Sequence, residues 1–146
     1  AAEGYGLAFS KKGRDGSGKA TLIAATSLRT YGVVFHISTD DLRQLDQIEG
    51  RGRGYERMSE FPVQTEGEGS SRLTATTYIS GAPHIDDNLR PFDWYLDLVV
   101  HGARQNDLPS SHIEAIAETE HAVDPDPERR ERLEALRVLE LAKRNG

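Results

Sequence analysis

Ser38-Thr39-Asp40-Asp41-Leu42-Arg43-Gln44-Leu45-Asp46-Gln47-Ile48-Glu49-Gly50 is the stretch that decides how the chain is organised. Ser38 with Asp41 three residues later resembles a capping box in which Asp stands in for Glu. Leu42, Leu45 and Ile48 then recur at helical spacing until Gly50 supplies a stop. This single helix interrupts a series of strand-like segments. Tyr5 to Phe9, Ala20 to Ala25 and Tyr31 to Ile37 precede it, and Tyr55 to Gln64 and Leu73 to Ile79 follow. All five are short and rich in Val, Ile, Thr, Tyr and Phe. The polar loops Ser10 to Lys19 and Thr65 to Ser71 read as the turns of two antiparallel hairpins.

The remainder of the chain is helical. Pro91 opens a helix with Phe92, Tyr95, Leu96, Val99 and Ala103 on one apolar face. Ser111 and Glu114 form the pattern of a capping box for a short third helix through Ile113, Ile116 and Ala117. Asp126 and Pro127 start a fourth over Glu128 to Asn145, with Leu133, Leu136 and Leu139 expected inward. Strands in series followed by helices, without βαβ alternation, predict an α+β fold or a barrel with helices outside it. Residues 1–123 are expected to form the main domain and 124–146 a C-terminal helix, with the charged Asp124 to Glu131 stretch reading as a linker and a solvated first turn.

Composition narrows the function. The chain has 146 residues with net charge −6, and its pI is near 5.4. Binding to nucleic acid or to an anionic membrane surface draws on clustered Lys and Arg, so neither is an expected partner. No apolar run reaches the length of a membrane span and no segment reads as a signal peptide. Without any Cys, disulfides, thiolate metal sites and cysteine nucleophiles are excluded. A cytoplasmic location is expected. Because the sequence starts at Ala1 and a strand follows at once, an N-terminal strand and loop are expected to be missing.

Three motifs invite a chemical reading and do not sustain it. Gly13-Arg14-Asp15-Gly16-Ser17-Gly18-Lys19-Ala20 matches a phosphate-binding loop except at its last position, where Ala20 cannot ligate Mg²⁺. It also leads into a strand-like segment instead of a helix whose amides would meet a phosphate. Arg51-Gly52-Arg53-Gly54-Tyr55 is one short arginine–glycine copy in an acidic protein, which reads as a turn. His36, His84, His101, His112 and His121 show no helical i, i+4 pair and no carboxylate at ligand spacing, so no metal site is expected. No Ser occupies a nucleophile elbow.

Glu49 is the candidate for chemistry. It follows Leu42 by seven residues, about 700° of helical rotation or within about 20° of two turns, so the two share a face. A carboxyl turned toward the core loses hydration, and at a helix C-terminus it also meets the negative end of the peptide dipoles. Both effects raise its pKa toward the range useful for proton transfer near neutral pH.

The words around Glu49 extend this. Leu45-Asp46-Gln47-Ile48-Glu49-Gly50 with Gly54-Tyr55 after it, preceded by Tyr31-Gly32-Val33-Val34-Phe35-His36-Ile37, resembles the core signature of the γ-glutamylcyclotransferase-like (AIG2-like) family. Thr76-Thr77-Tyr78, Gly102-Ala103 and Leu108-Pro109 add to the resemblance, which covers roughly residues 5–120. It implies a small mixed β-barrel of about five to seven strands with flanking helices. It also implies conversion of γ-glutamyl amino acids, amines or peptides to 5-oxoproline and a free amine. Glu49 matches the catalytic glutamate, and Tyr55, Tyr78 and Gly50 fall where the substrate is bound. The reaction implied uses no metal and no cofactor, the partner is a small γ-glutamyl compound, and a homodimer is compatible with it. The chain departs from the family in having no Tyr-Gly-Ser-Asn loop after its first strand. That leaves a second reading open: a non-catalytic member that binds a small acidic metabolite or a protein partner.

Overall fold

The computed structural model describes residues 1–50 and 54–146, which divide into two units, Ala1–Leu89 and Arg90–Gly146. The expected turn at Arg51-Gly52-Arg53 lies outside the described residues.

The first unit is built from two antiparallel hairpins and one helix. Strand β1 (Ala2–Lys12) pairs with β2 (Gly18–Thr30), and β3 (Tyr55–Gln64) pairs with β4 (Arg72–Ser80). The first hairpin carries a large irregularity. Glu3 opposes Arg29 but Tyr5 opposes Ala24, with Gly4 between them at φ +77°. A side chain at Gly4 would be strained in this left-handed conformation, so glycine is the residue that lets the shorter strand turn past the extra length of β2. The second hairpin has a smaller slip between Met58 and Phe61.

The α+β class holds, but the described residues form four strands in two separate sheets and no closed barrel of five to seven strands. Two observations explain this. The hairpins share no sheet and touch at isolated points: the Gln64 amide donates to the Ala1 carbonyl at 2.8 Å, the Ser80 amide donates to Thr21 Oγ1 at 3.0 Å, and the Tyr55 hydroxyl donates to the Ala20 carbonyl at 2.8 Å. Tyr5 and Phe61 pack edge to face, 4.8 Å between centroids. The expected strand Tyr31 to Ile37 is moreover not a strand; it runs without regular structure, and Val34 and Phe35 are 52% and 73% exposed. Strand propensity supplies one edge, and a ladder needs a second.

Helix α1 (Thr39–Gly50) forms where the capping pattern placed it. Ser38 Oγ donates to Asp41 Oδ2 at 2.7 Å while the Asp41 amide donates back to Ser38 Oγ at 3.1 Å, so each end of the box satisfies the other. Leu42, Leu45, Asp46 and Glu49 are half-buried, a spacing of i, i+3, i+4, i+7 that defines the inward face. Ile48, expected on that face, is 49% exposed.

The second unit contains α2 (Asp93–Gln105), α3 (Ser110–Ala117) and α4 (Arg130–Asn145). Phe92, Trp94 and Ala135 form its core, with Tyr95, Leu98 and Ala122 against them. The inward side of α2 is Trp94, Leu96, Val100 and Ala103, with Tyr95 and Val99 only half-buried. The capping box expected at Ser111 and Glu114 does not form. The helix starts two residues earlier with Pro109 at its cap, leaving Ser111 inside the first turn. Helix α4 begins at Arg130, two residues after the expected start, and turns Ala135 inward while Leu133 and Leu136 stay 40% and 38% exposed. A small residue at the contact lets α4 approach closely, and the larger leucines fall to its flanks.

Asp124, in the stretch read as a solvated linker, is buried. Its Oδ2 accepts from Trp94 Nε1 at 2.9 Å and Arg129 Nε at 2.7 Å, and its Oδ1 accepts from Arg129 Nη2 at 3.1 Å and the Asp126 amide at 2.9 Å. Arg129 foremost, with the amide and indole donors, outweighs the cost of burial and lowers the carboxyl to about 2.

Candidate active site

The site lies where α1 meets the second hairpin. Arg57 on β3 and Tyr78 on β4 oppose each other directly in the ladder, so their side chains leave the same face of the sheet. Asp46 on α1 takes both. Tyr78 Oη donates to Asp46 Oδ1 at 2.7 Å, and Arg57 Nη1 donates to Asp46 Oδ2, also at 2.7 Å. Glu49 follows Asp46 by three residues, one turn on, and is half-buried on the same face.

Tyr78 is perturbed by this environment. Burial disfavours its charged form, and the hydrogen bond to Asp46 together with the negative charges of Asp46 and Glu49 adds to that. The phenol is pushed up to about 12 against a smaller opposing effect of Arg57. Tyr78 is therefore neutral throughout the physiological range, and Glu49 is near enough for its charge to act on it. Among the described residues Glu49 makes no hydrogen bond or ion pair.

The other expected site residues are placed differently. Tyr55 lies on β3, its hydroxyl held by the Ala20 carbonyl and its ring 4.7 Å from the Lys11 ammonium, an arrangement that ties it to the first hairpin. Gly50 is the exposed last residue of α1. Asp46 and Arg57 received no role from the sequence. Their signals were present: Asp46 precedes Glu49 by one helical turn, and Arg57 follows Tyr55 by two residues on one strand face.

The loop resembling a phosphate site is a hairpin turn filled by its own carboxylate. Asp15 Oδ1 accepts from the Ser17 amide at 2.9 Å and Ser17 Oγ at 2.6 Å, and Asp15 Oδ2 pairs with Lys19 Nζ at 3.0 Å. Burial works against the Asp15 carboxylate, yet Ser17 and Lys19 together hold it below its ordinary value. A groove between α2 and α4, lined by Asp97, His101, Arg104 and Lys143 among others, belongs to the second unit and contains none of the expected site residues. Among the described residues no group of three or more His, Cys, Asp or Glu could hold a metal ion, and no helix is long and apolar enough to cross a membrane.

The fold and the placement of the L-D-x-x-E-G run on α1 define a γ-glutamylcyclotransferase-like architecture, and comparison with known proteins agrees. Residues 29–116, more than half of the chain, match the AIG2-like family, to which this protein belongs. A solved structure described as gamma-glutamyl cyclotransferase superposes with a TM-score of 0.78 at 19% identity. The match covers 94% of this chain and 81% of that one. An uncharacterized protein from Homo sapiens superposes equally well, at 20% identity over 93% of this chain and 80% of that one. At these identities the likeness is one of fold. No curated protein sequence matches the chain.

Proposed function

We propose that the protein is a γ-glutamylcyclotransferase, which cyclises the γ-glutamyl group of a γ-glutamyl amino acid, amine or peptide to 5-oxoproline and releases the free amine. The observation that carries this reading is Glu49, half-buried and without a hydrogen bond or ion pair among the described residues, one turn from an Asp46 whose oxygens are both occupied and beside a neutral Tyr78. A carboxylate free of structural partners can both take and return a proton.

In the proposed reaction Glu49 removes a proton from the substrate's α-ammonium. The freed amine nitrogen attacks the γ-carbonyl carbon of the same molecule, forming the ring C–N bond and a tetrahedral intermediate with an oxyanion. Collapse of that intermediate breaks the original amide C–N bond as Glu49 returns its proton to the departing nitrogen; the second proton, lost from the ring nitrogen, passes by the same carboxylate to the released amine, which leaves as an ammonium. The nucleophile is already attached to its target, so the enzyme's main contributions are orientation and proton transfer. Each proton taken is returned, so the cycle closes without an added metal or redox partner.

The second reading, a non-catalytic family member that binds a small acidic metabolite or a protein partner, is favoured by one observation: no Tyr-Gly-Ser-Asn run occurs within the 146 residues. Backbone amides of such a loop would supply donors to the oxyanion. Incubating the protein with a panel of γ-glutamyl dipeptides and γ-glutamyl amines, with EDTA present, and measuring 5-oxoproline by mass spectrometry separates the readings. Product from any member supports the enzyme; saturable binding of these compounds without product supports the binder.

A further inference from the structure

We infer that Asp46 is a positioning residue that fixes the polarity of the Tyr78 hydroxyl, so that Tyr78 meets the substrate as a hydrogen-bond acceptor for its α-amino group. This rests on the cyclotransferase reading and adds to it the part of the substrate that Tyr78 recognises.

A phenol has one proton to donate and lone pairs with which to accept. The Tyr78 proton goes to Asp46 Oδ1 at 2.7 Å. Arg57, across the ladder from Tyr78, donates to the other oxygen of the same carboxylate at 2.7 Å, which holds it turned toward the sheet. An ionised carboxylate only accepts, so the hydroxyl cannot reverse its direction while Asp46 stands there. What Tyr78 offers outward is oxygen lone pairs. Those suit an ammonium or an amine N–H and repel a carboxylate or an oxyanion. The α-ammonium of a γ-glutamyl compound is the group that Glu49 must reach. An acceptor beside Glu49 would hold that nitrogen close to the base and orient it as the proton leaves. Asp46 never touches substrate in this arrangement; it acts through Tyr78.

The experiment compares the parent with Asp46→Asn and Tyr78→Phe in two measurements. The first is tyrosine ionisation, followed by ultraviolet difference absorbance. The groups acting on Tyr78 are Asp46 and Glu49 from α1 and Arg57 from β3. The parent is expected to show a tyrosine titrating well above the ordinary phenol value, a step that is lost in Tyr78→Phe and moved down in Asp46→Asn. The second is kinetic. Each variant should lower kcat/KM for a γ-glutamyl dipeptide by about tenfold to a hundredfold, as expected for losing a hydrogen bond to a charged group. Neither should change the inhibition constant of the matching glutaryl amide, which has the same skeleton without the α-amino group. The double variant should be no worse than the more affected single one.

An unmoved tyrosine titration in Asp46→Asn, additive losses in the double variant, or equal weakening of the glutaryl amide overturns the inference even if 5-oxoproline is made. If the titration behaves as expected but no γ-glutamyl compound is turned over, the cyclotransferase reading falls and the role of Asp46 in that reaction falls with it. Tyr78→Phe serves as the second variant should Asp46→Asn melt early, because it removes the same hydrogen bond from the opposite side.

Discussion

Asp124 in the second unit and Glu49 in the first are both acidic residues beside aromatic rings, and the structure treats them in opposite ways. Asp124 is fully covered and accepts from an indole, a backbone amide and two guanidinium N–H groups. Glu49 is half-buried and makes no hydrogen bond or ion pair among the described residues. A carboxylate saturated with donors is held ionised and has little capacity for anything else, so it anchors structure. One that is sheltered but unsatisfied can exchange a proton. The contrast separates a structural acid from a candidate catalytic one more sharply than burial does, since the structural acid is the more buried of the two.

The largest effect that could break this comparison lies in the second unit. Asp124→Ala removes the acceptor of Trp94 and Arg129 and should cost about 3–5 kcal/mol, as breaking a buried ion pair does. Trp94 is the single tryptophan of the chain and donates directly to Asp124, so its fluorescence in a urea titration reports this unit. A transition unmoved by the substitution would show that the saturated carboxylate is not an anchor.

The pH dependence sharpens the same point. The Asp124 carboxyl is lowered to about 2 in the folded protein, below its ordinary value near 3.8. Its contribution to stability is therefore present above about pH 4 and lost as pH falls toward 2. Tyr78 runs the other way. Its pKa is raised to about 12, so the stability it contributes is present below its ordinary value near 10 and fades as pH rises through 12. Denaturant midpoints from acid to alkali check both, and Asp124→Asn should flatten the acid side alone.

The smallest effect is expected at the hairpin turn. Lys19→Ala removes a partly buried pair with Asp15 and should cost no more than ~1 kcal/mol. Titration with ATP or GTP and Mg²⁺ should show no binding that the substitution abolishes. Such binding would mean that Asp15 yields its place to phosphate.

What the sequence disclosed followed the range of the interactions involved. Helix α1 was legible to within a residue because Ser38, Asp41 and Gly50 act on their own neighbours. The two hairpin turns were legible for the same reason. Tyr31 to Ile37 was misread because its β-branched and aromatic residues state a preference for extended backbone, while strand formation depends on a partner elsewhere. Leu133 and Leu136 looked like core until Ala135 took the contact. Asp124 looked like solvated linker because its donors, Trp94 and Arg129, are unconnected to it by any local pattern. At the candidate site the phase shared by Leu42 and Glu49 could be counted along the helix. The bridge from Asp46 to Arg57 and Tyr78 could not, since it needs the register of β3 on β4.

The most direct test of the account is the rate at which Glu49→Gln releases 5-oxoproline from γ-glutamyl substrates, measured beside the parent by mass spectrometry with thermal melts of both. Gln keeps the shape of Glu49 and can still hydrogen-bond, but it cannot carry a proton at neutral pH. The account predicts a fall of ~10²–10⁴-fold with an unchanged melting temperature. A Gln variant that turns over as fast as an active parent would contradict it, because the Glu49 carboxylate would then have no part in the chemistry.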